Sequence, residues 1–305
     1  MGSGVMLSLL LRSILLGLAG LSLLGLSGVS LRADDPVFKE LLEVGVEVSP
    51  GQRVKLPPPT LTGSATAEQQ QQALRDAAAN HSLAEFTRKS AVTPFTLKME
   101  SLTDSEGRRY AQTVDVWFIA YGQLETLRDR QLLEELASAA SQQADSAIAP
   151  RSELLAPALL QQAGLELKES EQEREVFATF AAPLLDRVLV SGVVHSWQHF
   201  GSAEITASGI LDARFDRQAG LSNCWQSIED RAGEEPTLGA AAPYSGFGGY
   251  LRATALQEPA GALLIEAHVV FHEPEGWFRG ANLLRSKLPL ALQDQIRTFR
   301  RKLAK

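Results

Sequence analysis

The chain has 305 residues, of which 45% are hydrophobic and 21% charged, with a formal net charge of −7 and a single cysteine, Cys224. Those proportions are ordinary for a packed globular protein and exclude a disordered chain, an internal disulfide framework and a general nucleic-acid binder, which would be basic. The charge is uneven: residues 279–305 hold eight bases against one acid, net +7, and residues 125–175 hold five bases against eleven acids, net −6.

Residues 1–33 read as a secretory signal peptide. Arg12 precedes the 13-residue apolar run ILLGLAGLSLLGL (14–26), and small residues lead to a cleavage site after Ala33. The run is shorter than the roughly 20 residues that span a bilayer, and no cysteine follows it to carry a lipid. The expectation is an exported chain, periplasmic or extracellular, with no transmembrane helix after cleavage. Residues 34–64 contain PGQRVKLPPPT and read as an extended proline-rich segment. Residues 65–305 read as one α+β domain.

Helix-forming composition marks 65–80, and Ser82 caps a shorter helix that stops before Pro94. FTLKME (95–100) and TVDVWFIAY (113–121) alternate like half-buried strands and form a hairpin. Residues 123–185 read as a helical insert. Leu124, Leu127, Leu132, Leu133 and Leu136 fall at helical spacing, Ser152 caps a second helix, and Ser170 with Glu173 makes a capping box for EQEREVFATFAAPLL. Five strand patterns follow: 188–200, 204–215, 221–227, 248–256 and 262–272. Connections this short demand antiparallel pairing. The chain closes on an amphipathic helix with Leu288, Leu292, Ile296, Phe299 and Leu303 on one face. The sum is an α+β fold with an antiparallel sheet of about seven strands, a helical insert and a long C-terminal helix. That order is similar to the helix-grip, START-like arrangement, in which a curved sheet wraps a C-terminal helix around a ligand site.

Four of the five histidines sit in two strand patterns, HSWQHF (195–200) and HVVFH (268–272). Residues i, i+2 and i+4 of a strand share a face, so His195, Trp197 and His199 go together, as do Glu266, His268 and His272. Imidazole and carboxylate suit zinc. Residues i and i+4 lie about 13 Å apart, however, so a single ion needs one histidine from each strand. Adjacent strands with matched faces would build a metal or acid–base site; otherwise the histidines belong to a solvated sheet face. The glycines of YSGFGGY (244–250) mark a bend more readily than a phosphate loop, because no GK[ST] follows. There is no GxSxG nucleophile motif.

Three functions compete. The leading one is an exported, non-enzymatic protein that binds a small apolar ligand or an envelope component between sheet and C-terminal helix. Leu288, Leu292, Ile296 and Phe299 would line that site, with Trp197 and Trp225 as wall residues. The second is a metal-dependent hydrolase using His195, His199, Glu266, His268 and His272. The third is an envelope scaffold that meets anionic surfaces through its basic C-terminal helix.

Overall fold

The computed structural model describes residues 35–129, 148, 150–218, 220–229, 236–244, 246–277 and 283–304. The segment expected to be extended, 34–64, contains regular structure. Asp35 caps helix α1 (Pro36–Glu43) by accepting from the Phe38 amide at 2.7 Å, and Pro36 opens the first turn. Strands β1 (Val46–Ser49) and β2 (Gln52–Val54) form a hairpin. Its apolar Val46 and Val48, like Val37 and Leu41 of α1, are buried, so tertiary packing orders the stretch ahead of the proline cluster 57–59. Helices α2 (Ala67–Ala78) and α3 (Leu83–Phe86) follow, capped by Thr66 with Gln69 and by Ser82.

The main sheet has eleven antiparallel strands, four more than expected. They are β3 (Thr96–Thr103), β4 (Arg109–Tyr121), β5 (Arg151–Leu154), β6 (Glu173–Leu184), β7 (Val188–Phe200), β8 (Glu204–Leu211), β9 (Cys224–Glu229), β10 (Thr237–Leu238), β11 (Ala242–Pro243), β12 (Phe247–Ala255) and β13 (Ala262–His272). The helical insert fails in this respect: Ser152 lies in β5, and the supposed helix EREVFATFAAPL is β6, paired residue for residue with β7. Only Leu124–Arg128, a 3-10 turn, and α4 (Pro157–Gln162) are helical among its described residues. The leucines at 132, 133 and 136 lie outside the described residues.

Three layers result. Helix α5 (Leu283–Leu303) packs across one face of the sheet. There Leu288, Leu292, Ile296, Phe299 and Leu303 join sheet residues such as Val114, Phe118, Val190, Ile265 and Val269 in one apolar core. The opposite face is covered by the N-terminal segment and α2. Val37, Leu41, Val46, Val48 and Leu56 bury Trp197, Tyr250 and Val270, while Leu61 and Leu74 pack against Ile119 and Leu264. Each fully buried large apolar side chain contributes about 1.5–3 kcal/mol. No helix among the described residues is long and apolar enough to cross a membrane.

Arg300 is an unexpected core member. The sequence places it among surface cations, but its guanidinium is buried and donates to the carbonyls of Ile119 (2.7 Å), Thr93 (2.5 Å), Pro94 (3.0 Å) and Ala91 (3.4 Å). Burial pushes its pKa down to about 10. Five donors in a planar fork are what four converging carbonyls require.

Candidate functional site

A fork in the sheet creates the main cleft. One edge of β7 pairs with β6 along its length; the other is shared, Val188–Ser191 with β9 and Val194–Leu211 marking the start of the β8 ladder. Asn223 sits where the two partners diverge. Its side-chain oxygen accepts from the Val193 amide at 3.0 Å, and its amide nitrogen donates to the Asp212 carbonyl at 3.0 Å. Gly192 makes room for it, since a β-carbon there would lie 2.0 Å from the Asn223 oxygen.

Below the fork opens a cleft of about 760 Å³. One wall is the N-terminal segment, with Glu40, Val46, Glu47, Pro50 and Arg53; the other carries His195, Ile210, Asp212, Arg214 and Phe247. Volumes of roughly 300–1,000 Å³ suit small-molecule ligands. His195 Nε2 stands 2.8 Å from Glu175 Oε1, and its ring stacks on Phe177 with centroids 4.3 Å apart. Burial raises the Glu175 pKa, but the bonds from His195 and the Lys168 amide outweigh it and the net direction is down. Asp212 takes a forked bond from Arg214, with Nη2 at 2.6 Å and Nε at 3.0 Å. That bond, ahead of other causes, raises the Arg214 pKa. Arg53 pairs with Glu47 at 2.8 Å, so two of the four lining carboxylates are neutralised and Glu40 and Asp216 are left over.

The sequence-derived sites are split by this arrangement. The strands carrying the two histidine runs are not neighbours: β8 and β12 lie between β7 and β13. Three strand spacings amount to about 14 Å, so the histidines of the two runs do not converge on one ion. Among the described residues no three His, Cys, Asp or Glu side chains stand as a metal-holding group. His195 lines the cleft, and His199 is half-buried near Glu173 and Glu204, with burial lowering its pKa. His268 and Glu266 lie 1% exposed beneath the N-terminal segment. His268 bonds Asp115 at 2.8 Å and Glu266 at 3.3 Å, and Glu266 also accepts from the Thr60 amide at 2.8 Å. His272 lines a second cleft of about 280 Å³, with Arg109, Glu273 and Trp277.

The apolar set divides as well. Leu288, Leu292, Ile296 and Phe299 are buried in the core under the sheet, Phe299 edge-on to Phe118 at 5.6 Å. Trp225 packs against that core, with its ring 5.9 Å from Trp277. Trp197 faces the other way, under α1. The sequence reading does not single out Glu175, Asp212, Arg214 and Asn223. Glu175 falls in a stretch with helical composition, and LDARFDRQAGLSN reads as a strand end and turn, with its Asp-x-Arg and Asn as the available signal.

No family model matches the chain, and no curated protein matches it. Among solved structures it is similar to the Zhui aromatase/cyclase from Streptomyces sp. R1128, with a TM-score of 0.30 and 10% identity over 64% of this chain and 96% of that one.

Proposed function

We propose that the chain is an exported binding protein that holds a small amphiphilic ligand, neutral or cationic, in the cleft at the sheet fork. The observation that carries this reading is the cleft itself: about 760 Å³, bounded by the apolar Val46, Ile210 and Phe247 on one side of the balance and by oriented polar groups on the other. Its polar groups are held by partners before any ligand arrives, His195 by Glu175 and Arg214 by Asp212, which lowers the ordering cost of binding. Four lining carboxylates against two guanidinium groups disfavour an anion. This reading puts the ligand at the fork, because the helix side chains Leu288, Leu292, Ile296 and Phe299 fill the core between sheet and helix. The sheet with one long helix across its face keeps the helix-grip arrangement as the finer description of the fold, and the leader-like composition of residues 1–33 supports export.

Nile red, a neutral amphiphilic dye, tests the reading. Fluorescence titration is expected to show saturable binding with one site per chain. Ala213→Trp, in the exposed 3-10 turn that lines the cleft, is expected to abolish that signal with an unchanged melting temperature. Non-saturable binding, or equal binding by the variant, would refute the assignment.

A further inference from the structure

The basic C-terminus has no part in the cleft, and its geometry gives it a surface of its own. On α5, Lys287, Leu290, Asp294, Arg297 and Arg301 are spaced 3, 4, 3 and 4 apart, which sets them in one stripe along the helix. It is the stripe opposite the buried Leu288, Leu292, Ile296 and Phe299. Leu290 is 65% exposed within it, and its one acid, Asp294, is matched by Arg297 at 3.5 Å. A second pair of bases is tethered to the end of the helix. Arg300 clamps the carbonyls of Ala91, Thr93 and Pro94, and the loop is closed on itself by Thr93 Oγ1 donating to the Arg88 carbonyl at 2.7 Å. Arg88 and Lys89, both exposed, are thus fixed beside the last turn of α5. Lys89 lies over the Tyr121 ring at 5.6 Å, and the adjoining Gly122 touches Leu303 so closely that a β-carbon would lie 2.6 Å from it. Through the Arg300 clamp, two basic clusters about 200 residues apart in sequence are tied to one edge of the sheet. Nearby carboxylates are engaged locally, Glu85 by the Ser82 hydroxyl at 2.8 Å and Glu125 by Arg128 at 2.9 Å.

We propose that this face, Lys287–Arg301 of α5 joined to Arg88 and Lys89, is a docking surface for the anionic headgroups of a lipid membrane. Charge complementarity selects the occupant. Cations near an anionic bilayer gain about 1 kcal/mol each, and an exposed leucine among them adds apolar contact in the manner of interfacial helices. The formal charge of the whole chain is −7, so the rest of the molecule is repelled and the patch is the side that turns toward the surface.

The test is co-sedimentation of the full chain with vesicles of phosphatidylcholine alone or mixed with phosphatidylglycerol. Binding is expected only to the mixed vesicles and is expected to weaken as salt rises from 50 to 300 mM, a range chosen around the shortening of the Debye length to below about 10 Å. The double variant R88E/R301E is expected to lose at least roughly tenfold in affinity, with the circular dichroism and melting point of the parent, because both side chains are exposed. Arg75→Glu, an exposed base on α2 away from the patch, is expected to change nothing. Leu290→Asn should weaken vesicle binding and leave binding to soluble polyphosphate unaltered. Equal binding to both vesicle types, indifference to R88E/R301E, or tighter binding to polyphosphate than to vesicles with no effect of Leu290→Asn would overturn the proposal.

Discussion

Asp35 shows how burial and helix capping pull one carboxyl in opposite directions. Burial pushes its pKa up to about 6, against the Phe38 amide, the Ser208 hydroxyl and His195, which all favour the charged form. Because the folded value lies above the ordinary one of 3.8, the stabilising contribution is complete below about pH 4 and is lost as pH rises through about 6. Asparagine keeps the cap without the charge. Asp35→Asn is therefore expected to match the parent at pH 4 and to exceed it at pH 8 by on the order of 2 kcal/mol, as read from urea unfolding at the two pH values. His268 is the opposite case of a charge that burial alone would remove. Burial lowers its pKa, but Asp115 and Glu266 outweigh this and the net direction is up. With a carboxylate at each ring nitrogen, only the imidazolium can donate to both. Its contribution is complete below the ordinary histidine value and is lost as pH rises through the raised one. Replacing it leaves two carboxylates without the imidazolium that bridges them, so His268→Leu is expected to cost about 3–5 kcal/mol. Arg53→Ala, at an exposed pair, should cost at most about 1 kcal/mol. Comparable losses in the two variants would contradict this account.

At the scale of elements, the sequence was readable where one periodicity governed. The buried face of α5 follows directly from apolar spacing, whereas β12 and β13, buried on both faces, show as short apolar runs between turn signals. β6 reads as a helix in sequence because Glu, Arg and Ala favour helix locally and Ser170–Glu173 imitates a capping box. Pairing with β5 on one edge and β7 on the other overrides that preference. The fork escaped for a related reason: nothing in β7 announces that it changes partners at Gly192. The glycine run 244–250 has a packing role that the sequence left open. A β-carbon at Gly246 would lie 1.9 Å from the Glu47 carbonyl oxygen, and one at Gly248 would lie 2.6 Å from Val46 Cγ2. The glycines let the N-terminal hairpin close on β12 and so complete the cleft wall. Gly246→Ala must displace β1, at a cost of about 1–3 kcal/mol. It is expected to lower the melting temperature and weaken Nile red binding together, whereas Ala213→Trp weakens binding alone.

For the molecule as a whole, the α+β order was legible, but the layering was not. A proline-rich segment carries no sign of what it will cover, and its partners lie 57 to 206 residues away. Those partners define its role. Thr60 N–H donates to Glu266 at 2.8 Å, Gly63 N–H to Glu204 at 2.5 Å, Trp117 Nε1 to the Thr60 hydroxyl at 2.8 Å, and Tyr250 OH to the Pro57 carbonyl at 2.8 Å. Glu204 is in turn paired with Arg252. The segment thus supplies backbone donors to carboxylates that the sheet buries, and bonds to charged groups are the stronger ones, about 1.5–3 kcal/mol. Local opening should be rare wherever such bonds hold an amide. The Thr60 and Gly63 amides, though in no helix or strand, are expected to exchange with deuterium as slowly as sheet amides. The amide of Gly51 at the hairpin tip, bonded only to the exposed Glu47 side chain at 3.3 Å, should exchange orders of magnitude faster. Deleting residues 1–64 would uncover Trp197, Tyr250 and Val270 together with Glu266 and His268, so the remaining domain is expected to lose its cooperative unfolding transition. A truncated domain that unfolds cooperatively at the parent's temperature would show that the sheet is self-sufficient and the N-terminal layer only an attachment.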